Sequence, residues 1–332
     1  MSELDPTTLE AARPRATWRD YVAVARPDHW IKHIFIVPGV VVAELLHPKP
    51  FGELLVPLLL GFASAAAVAS ANYVLNEWLD ARSDAHHPVK SERPGVRKRL
   101  SGLVVALEYL ALTAVGLALA IRISALFAAT AALFLILGWI YNVRPVRTKD
   151  RAYLDVLTES LNNPVRLALG WAIVDGARLP PSSLLLAYWM GGAFLMAVKR
   201  LAEYRSVVVA RDKHTLVLYR RAFQSYTESS LLLSSFSYAQ LAAFFLAVFL
   251  VKYRIEYVLS LPLFAALFAV YLWLGLRPGS TAQTPEKLFR EPVLVAVVVL
   301  LVGAMLVLTW VDLPFLEHLS DPHYILLPSA GD

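Results

Sequence analysis

Residues 72–94 read NYVLNEWLDARSDAHHPVKSERP, and they continue an apolar stretch that begins near residue 53. Asn72, Asn76, Asp80 and Asp84 recur every four residues, which places them on one stripe of a helix, one turn apart. Glu77 lies three residues before Asp80, close to the same face. Two amides and three carboxylates therefore gather where an apolar helix ends. Like charges at this spacing repel each other, so the stripe needs a positive partner.

The composition around this stretch is that of a membrane protein. The chain has 332 residues, of which 58% are hydrophobic and 17% are charged. A soluble domain of this length needs a more polar surface, so a polytopic membrane protein is expected. The absence of cysteine excludes disulfides and thiolate chemistry. No linker rich in Pro, Gly or Ser divides the chain, so residues 1–332 are predicted to form a single membrane domain.

Nine segments match the ~20 mostly apolar residues that a membrane-spanning helix needs. We therefore predict an all-α fold with nine transmembrane helices, near residues 31–48, 53–76, 101–121, 124–142, 153–174, 182–199, 228–251, 256–276 and 291–311. Residues 1–30 form a polar lead without the apolar core of a signal peptide. The bundle takes residues 31–311, and residues 312–332 form a C-terminal tail.

The Lys and Arg residues are distributed unequally between the two sides of this predicted bundle. With the N-terminus inside, 25 of the 31 fall in inner segments, five fall in outer segments, and Arg166 lies within the fifth helix. The positive-inside rule then predicts a protein of the inner (cytoplasmic) membrane with its N-terminus inside and its C-terminus outside. The long polar loops 77–100, 143–152 and 200–227 are all inner loops, so the functional site is expected at the cytosolic face.

The acidic stripe has two interpretations. Oxygen ligands at this density suit Mg²⁺, which keeps several waters and is shared with substrate phosphates. A solvated helix end is the alternative, but Asn72 and Asn76 continue the stripe inward, where polar groups are costly and usually functional. We therefore predict that Glu77, Asp80 and Asp84 bind metal and that the two amides contact substrate.

The basic block that follows the stripe is expected to hold phosphate groups. Lys90 and Arg93 come directly after the acidic residues, and both side chains bind phosphate well. Their charge also serves the positive-inside signal, which is the simpler explanation of the block. Proximity to the predicted metal site favours phosphate binding.

A second polar stripe interrupts the fifth apolar segment, in LDVLTESLNNPVRLALGW at residues 154–171. Asp155, Glu159, Asn162 and Arg166 share a helical face at steps of four, three and four, and Asn163 is adjacent. One interpretation is a structural network in which Arg166 neutralises a carboxylate. The other is that Asp155 and Glu159 face the first stripe across a cavity, so that two metal ions clamp one diphosphate. That hypothesis makes four carboxylates catalytic, and the neighbouring polar side chains substrate-binding.

Three further polar clusters lie in the inner loops. Lys149 comes directly before the second acidic helix, so it is predicted to contact phosphate, together with Tyr141 at the end of the fourth span. A second cluster at the inner end of the sixth span is also predicted to bind substrate: Lys199, Arg200 and Glu203. The alternative is a local ion pair between Lys199 and Glu203, which are four residues apart. Downstream basic and polar residues are candidates to surround a second anionic group: Arg220, Arg221 and Tyr226.

Together these motifs resemble the UbiA superfamily of intramembrane prenyltransferases. The first family motif, N-D-x-x-D-x-x-x-D, is similar to NEWLDARSD at residues 76–84, with Glu77 in place of Asp. The second, D-x-x-x-D, is similar to DVLTE at residues 155–159, with Glu159 in place of Asp. The resemblance covers nearly the whole chain. It implies a helix bundle around a central cavity open to the cytosolic face, Mg²⁺ as cofactor and a donor that carries a diphosphate.

Within that superfamily, three stretches resemble the decaprenyl-phosphate phosphoribosyltransferase branch: RPDHWIKHIFIVPG at residues 26–39, the stretch after Asn76, and KRLAEYR at residues 199–205. This branch implies Mg²⁺-dependent transfer of 5-phosphoribose from phosphoribosyl diphosphate to a polyprenyl phosphate. Two alternatives stay open. One is a prenyltransferase that moves a prenyl group to an aromatic or other acceptor. The other is a transporter or lipid-binding protein, which the concentration of charge at one face disfavours. No nucleic-acid partner is expected.

Overall fold

The computed structural model of the protein describes residues 13–87, 89–210, 213–283 and 285–316. In these residues the regular elements are helices, and one isolated β-bridge joins Arg15 to Arg99. The predicted all-α fold class is therefore confirmed. Residues 1–12 of the predicted lead and residues 317–332 of the predicted tail lie outside the described residues.

Thirteen α-helices follow one another along the described chain. They are α1 Trp18–Val24, α2 Val37–Leu46, α3 Phe51–Asp84, α4 Pro94–Arg97, α5 Gly102–Ile121, α6 Ala125–Asn142, α7 Leu154–Ser160, α8 Asn162–Val174, α9 Ser182–Ala210, α10 Lys213–Tyr219, α11 Glu228–Tyr253, α12 Leu261–Leu276 and α13 Pro292–Trp310. Short 3₁₀ segments join several of them, at Pro27–Ile36, Lys90–Glu92, Thr148–Asp150, Arg221–Gln224, Ile255–Ser260, Thr281–Gln283 and Pro285–Arg290.

Seven helices in the described residues are long and apolar enough to cross a membrane. They are α3, α5, α6, α9 over Ser182–Val208, α11, α12 with the 3₁₀ segment before it, and α13. A pair bent by 50°, Trp18–Ile31 with His33–Leu46, adds an eighth if it forms one span. The predicted fifth span is divided between α7 and α8, and each part is too short to cross alone. The total of nine helices stays a prediction, since it requires both divided segments to cross.

The break between α7 and α8 follows from Pro164. Proline has no backbone N–H, so the carbonyl of Ser160, four residues earlier, loses its helical donor. The side-chain amide of Asn163 donates to that carbonyl at 3.2 Å instead. Asn163 also packs against α9, where a Cβ added to Gly192 would lie 2.1 Å from its Nδ2 atom. The structure therefore uses this amide to hold the break, in contrast to its predicted substrate contact.

The length of α3 explains why the acidic stripe can stand on an apolar helix. At a rise of ~1.5 Å per residue its 34 residues extend over ~51 Å, whereas the hydrocarbon core of a bilayer is ~30 Å thick. The turns that carry Asp80 and Asp84 therefore extend beyond the core. We call this end of the bundle the charged end; it comprises residues 76–87, 89–101, 141–155, 199–210 and 213–227.

Small residues let α3 approach its neighbours closely. Residues 64–71, SAAAVASA, are buried on all sides, and the Ser64 hydroxyl donates to the Gly116 carbonyl of α5 at 2.7 Å. The same device joins α2 to α8, where a Cβ on Gly170 would lie 2.0 Å from the Ile36 carbonyl oxygen. In membranes close backbone approach of this kind drives helix association. It fixes α3, which carries the first acidic motif, and α8, which follows the helix of the second motif.

Candidate active site

A cavity of about 1080 Å³ lies at the charged end of the bundle. Asp80 and Asp84 line it from α3, Lys149 lines it from the segment after α6, and Arg220 lines it from the segment after α10. Helix periodicity explains the first pair, because residues four apart lie on one face. These residues, which are distant in sequence, therefore meet at one end of the bundle, as predicted.

Asp80 is held by two cations of the segment that follows α6. Arg147 donates to its Oδ1 atom at 2.9 Å, and the Lys149 ammonium group donates to the same atom. Lys149 also donates to Oδ1 of Asn142 at 2.6 Å, and the Asn76 amide donates to that oxygen at 2.6 Å. Asn76 therefore acts through Asn142, which the sequence analysis missed. In the sequence, Asn142 is visible only as a single amide at the end of an otherwise apolar helix.

Burial governs the electrostatics of Lys149. Loss of solvent lowers the pKa of its ammonium group to about 8, against the opposing attraction of Asp80. The group is therefore still mostly protonated at neutral pH. The Lys149 ammonium group can therefore exchange its contact with Asp80 for one with a phosphate oxygen while it stays charged.

Asp84 is held by the basic block after α3. Arg93 donates to its Oδ2 atom at 2.5 Å, and the Lys90 ammonium nitrogen lies 3.6 Å from its Oδ1 atom. Burial lowers the pKa of Lys90 to about 8, and the positive charge of Arg220 adds to the effect. The predicted proximity of these two basic residues to the acidic stripe is thus observed.

Glu77 points away from the other two carboxylates of its motif. Its side chain is 2% exposed, and its Oε2 atom accepts hydrogen bonds from Arg26 at 2.8 and 3.2 Å. Its Oε1 atom accepts from the Gly95 amide at 3.1 Å. Together with Arg26 and Arg93 it lines a separate cavity of about 340 Å³. The predicted metal-binding role of Glu77 therefore has no support from this geometry. Three helical steps of ~100° leave Glu77 ~60° around the helix from Asp80, where its side chain reaches Arg26.

Asp155 of the second acidic motif is enclosed by protein, whereas Glu159 is partly exposed. Asp155 is 0% exposed; its Oδ2 atom accepts from Nε of Arg200 at 3.0 Å, and its Oδ1 atom accepts from the Tyr226 hydroxyl at 2.6 Å. Glu159 accepts from Nη2 of Arg200 at 2.8 Å. Burial and the Asp155 carboxylate raise the pKa of Tyr226 above its usual range, so this phenol stays a donor. The lining of the main cavity includes neither of the two carboxylates.

Tyr141 joins the two motifs. Its hydroxyl donates to Glu159 at 2.8 Å and accepts from Arg220 at 3.2 Å, while its ring centroid lies 5.7 Å from the Lys149 nitrogen. A second link runs from His87, after α3, to Glu203 on α9 at 3.8 Å. The two acidic segments therefore lie close together at the charged end, as predicted.

Several predicted site residues lie elsewhere. The Asn72 amide donates to the Phe134 carbonyl at 3.0 Å, which ties α3 to α6. Arg166 lies over the Phe134 ring at 5.4 Å. No ion pair joins it to a carboxylate of the described residues, so the interpretation in which Arg166 neutralises Asp155 or Glu159 is wrong; both pair with Arg200.

Two other predicted residues stay without side-chain partners in the described part of the chain. Asn162 and Lys199 are both half-buried, and neither side chain hydrogen-bonds or forms an ion pair with a described residue. Lys199 is nevertheless close enough to Glu159 and Glu203 to interact electrostatically. Both predictions of substrate contact remain predictions.

The donor set at the cavity suits a hard divalent cation at one motif. Asp80 and Asp84 supply carboxylate oxygens at the cavity wall, which is the chemistry that Mg²⁺ prefers. No group of three or more His, Cys, Asp or Glu side chains in the described residues is arranged to hold a metal by itself. A metal held by two carboxylates and shared with substrate phosphates fits this arrangement.

Comparisons with known proteins give the family. Residues 33–291 match the model of the UbiA prenyltransferase family. Nodulation protein NoeC of Azorhizobium caulinodans is 32% identical over 231 residues, which cover 69% of this chain and 71% of NoeC. Decaprenyl-phosphate phosphoribosyltransferase of Mycolicibacterium smegmatis is 25% identical over 234 residues, which cover 69% of this chain and 68% of that protein.

Solved structures share the fold. A UbiA homologue from Archaeoglobus fulgidus bound to GPP and Mg²⁺ matches with a TM-score of 0.65 and 22% identity, over 88% of this chain and 100% of that one. A structure of digeranylgeranylglyceryl phosphate synthase matches with a TM-score of 0.58 and 13% identity, over 88% of this chain and 96% of that one. At these identities the likeness concerns the fold alone.

Proposed function

The chain belongs to the UbiA prenyltransferase family and is an integral membrane transferase, and from that premise we propose that it transfers 5-phosphoribose from phosphoribosyl diphosphate to a polyprenyl phosphate, with Mg²⁺ as cofactor. We also propose that the charged end faces the cytosol, where a soluble sugar donor is available. The distribution of Lys and Arg supports that orientation.

The observation that carries the choice of donor is the surplus of cations around the cavity. Ten Lys and Arg residues line it, against the three carboxylates of Asp80, Asp84 and Asp150. A prenyl diphosphate brings one diphosphate and an apolar tail to such a wall. Phosphoribosyl diphosphate adds a 5-phosphate to the same wall. The ribosyl donor therefore matches the positive surplus better than a prenyl donor does.

The diphosphate of the donor belongs at the first motif. Asp80 and Asp84 would hold Mg²⁺, which neutralises diphosphate charge and so stabilises the leaving group. Lys149 and Arg93, which now neutralise these carboxylates, are within the same cavity wall or beside it and would pair with phosphate oxygens instead.

The transfer itself needs no general base. A phosphate oxygen of the lipid acceptor forms the new bond to C1 of the ribose, and the bond from C1 to the diphosphate breaks with its electron pair on the diphosphate. Because the acceptor is already an anion, there is no proton to remove. The protein contributes electrostatic stabilisation of the leaving group and alignment of the two substrates.

The 5-phosphate is assigned to Arg220 and Arg221, which line the cavity. Tyr141, Lys199 and Glu203 surround Arg220 and remain proposed contacts to the ribose and its phosphate. Arg200 contacts substrate only indirectly in this proposal, because carboxylates already occupy its guanidinium group.

The acceptor phosphate is assigned to Arg166. A guanidinium group within a membrane bundle is costly unless an anion pairs with it. The Nε atom of Arg166 is buried and has no hydrogen-bond partner in the described residues, and the same holds for both ring nitrogens of His33. A lipid phosphate that enters from the bilayer supplies the missing counter-charge.

Prenyl transfer is the second candidate function. It is favoured by the fold neighbours, whose structures contain GPP or DMAPP together with Mg²⁺. The same carboxylates would serve, and the apolar helices around Phe134 would hold the donor tail. The substrates therefore have to be distinguished by experiment.

The test uses the purified full-length protein with Mg²⁺ and polyprenyl phosphate. Radiolabelled phosphoribosyl diphosphate is expected to give a labelled lipid, and Asp80→Asn and Asp84→Asn are expected to lose that product while remaining folded in detergent. Labelled geranyl diphosphate with an aromatic acid serves as the parallel reaction. Product from this second reaction alone would overturn the ribosyl proposal in favour of prenyl transfer.

A further inference from the structure

Three carboxylates converge on one guanidinium group at the second motif. Each nitrogen of Arg200 contacts a different residue: Nε contacts Asp155 at 3.0 Å, Nη2 contacts Glu159 at 2.8 Å and Nη1 contacts Glu203 at 3.5 Å. Acidic side chains from two separate helices therefore share one buried cation, and Arg220 adds a second, longer contact to Asp155 at 3.6 Å. This is the arrangement that carboxylates take around a bound metal ion.

The centre of this arrangement is buried, although the Glu159 side chain is 29% exposed. Arg200 is 1% exposed and Asp155 is 0% exposed. The second oxygen of Asp155 is occupied as well, because the Tyr226 hydroxyl donates to it at 2.6 Å. A metal ion that entered here would have to displace Arg200 and leave its guanidinium group buried without a counter-charge, which is strongly unfavourable.

At the first motif, the lysines beside the carboxylates line the cavity and can be displaced. Asp80 and Asp84 line the main cavity, and so do Lys149 and Lys90, which lie beside them. These lysines can transfer to an incoming phosphate while a metal takes their place at the carboxylates. Arg200 has no such alternative, since it does not line the cavity and each of its nitrogens is already engaged.

We infer that Arg200 is a built-in cation that occupies the place of a second metal ion, so that this chain binds metal at its first motif only. The inference rests on the proposed function in one respect, the metal–diphosphate site at Asp80 and Asp84. It departs from the expectation that both acidic motifs hold metal. Arg200 then acts as a positioning residue, because it fixes Glu159, which in turn receives the Tyr141 hydroxyl.

The experiment counts metal ions. Mn²⁺ binding to the full-length protein in detergent is followed by electron paramagnetic resonance, with inorganic diphosphate present. The wild type is expected to bind about one Mn²⁺ per chain, since only the first motif presents carboxylates to the cavity beside lysines that can move to phosphate. Asp80→Asn is expected to lose this binding. Asp155→Asn, at the matching position of the second motif, is expected to keep it.

Removal of the cation provides the complementary measurement. Arg200→Ala removes the cation that the three carboxylates share and leaves Asp155 only the Arg220 contact at 3.6 Å. This variant is expected to raise the count to about two Mn²⁺ per chain, a change that a purely structural role would not produce. Arg205→Ala, which removes an exposed arginine from the same helix, should leave the count unchanged. If Arg200→Ala does not fold, the comparison of Asp80→Asn with Asp155→Asn still shows which motif binds Mn²⁺.

Two results would overturn the inference. One is a wild type that binds two Mn²⁺ per chain, of which Asp155→Asn loses one; the other is a wild type that binds none with diphosphate present. Neither depends on which donor the enzyme uses. Failure of the ribosyl assay with a count of one would therefore reject the proposed substrate and leave the role of Arg200 standing.

Discussion

The hydroxyl of Tyr141 donates a 2.8 Å hydrogen bond to Glu159, and this bond joins the end of α6 to the second acidic motif. The same ring lies beside Lys149, which binds Asp80 of the first motif. The Tyr141 side chain thus connects the two acidic segments, although it is distant in sequence from both Asp80 and Glu159.

Tyr141→Phe should therefore impair catalysis more than folding. The substitution keeps the ring but removes a hydrogen bond to a charged group, which is worth ~1.5–3 kcal/mol and corresponds to roughly a 10- to 100-fold loss in kcat/KM. Steady-state kinetics with phosphoribosyl diphosphate measure this loss. Tyr188→Phe is the matched control, since its hydroxyl makes no hydrogen bond to a described residue. An unchanged kcat/KM would show that the hydrogen bond from Tyr141 to Glu159 does not contribute to catalysis.

Arg200→Lys should destabilise the protein strongly. A lysine retains the charge but cannot contact three carboxylates at once, so at least one of Asp155, Glu159 and Glu203 loses this partner. Removal of one member of a buried ion pair costs ~3–5 kcal/mol, which denaturation in detergent would measure as a loss of unfolding free energy. Arg205→Lys, at an exposed pair with Glu228, should change it by less than ~1 kcal/mol. Equal effects of the two substitutions would contradict the buried network.

Arg166→Gln should separate stability from function. Because Arg166 has no anionic partner among the described residues, loss of its charge is expected to leave the unfolding free energy unchanged or to raise it by ~1–2 kcal/mol. The apparent KM for polyprenyl phosphate should rise by about tenfold or more, and the KM for the sugar donor should change little. Arg122→Gln, at the opposite end of the bundle, is the control. A large loss of stability in Arg166→Gln would instead reveal a structural partner.

The stability of the protein should fall between pH 6.5 and pH 4 through His87. Its Nδ1 atom accepts hydrogen bonds from the Val89 and Lys90 amides, which requires an unprotonated ring nitrogen. Burial lowers its pKa to about 4, and nearby Lys90 adds to the effect. Glu203 and Asp84 oppose the shift.

The direction of the pH effect follows from this pKa. Between pH 6.5 and pH 4 the unfolded chain binds the His87 proton and the folded chain does not, so protonation favours unfolding. The contribution is complete above pH 6.5 and amounts to roughly 2 kcal/mol lost at pH 5. Unfolding free energies at pH 7 and pH 5 should therefore differ less in His87→Gln than in the wild type. The exposed neighbour His86 gives the control, His86→Gln, and an equal slope in His87→Gln would contradict the assignment.

Gly170→Ala should weaken the contact between α2 and α8. The added Cβ would lie 2.0 Å from the Ile36 carbonyl oxygen, which is backbone and cannot rotate away. Such overpacking costs ~1–3 kcal/mol of unfolding free energy. Gly191→Ala is the matched helical control, because nothing lies within 4 Å of its added Cβ and alanine favours the helix. If Gly191→Ala destabilised the protein as much, the close approach would not explain the effect.

The sequence predicted the helices well and the pairing of side chains poorly. The predicted segments 101–121 and 124–142 differ by only a residue at one end from α5 and α6, because long apolar runs have one stable solution in a membrane. It did not predict the division of the fifth segment. That break depends on how Asn163 replaces the donor that Pro164 lacks, and on space that Gly192 provides in another helix.

The residues of the candidate site were also predicted only in part. The spacing of four between Asp80 and Asp84 identified two carboxylates that line the cavity. Glu77, assigned to the same face because it lies three residues before Asp80, is held by Arg26 in a separate cavity. Asn142 was missed, because a single amide has no spacing pattern. Arg220 and Tyr226 were recognised only as members of a polar cluster, and their contacts with Tyr141 and Asp155 cross more than 70 residues of sequence.

The sequence by itself determined an integral membrane bundle with two acidic helix ends near one another, because apolar length and charge distribution are properties of each segment alone. Only the tertiary structure decided which cation meets which carboxylate. Helical periodicity specifies which side chains share a face, whereas a cation such as Arg200 reaches Asp155 because α9 packs beside α7. That packing leaves Asp80 and Asp84 at the cavity wall and encloses Asp155 in protein.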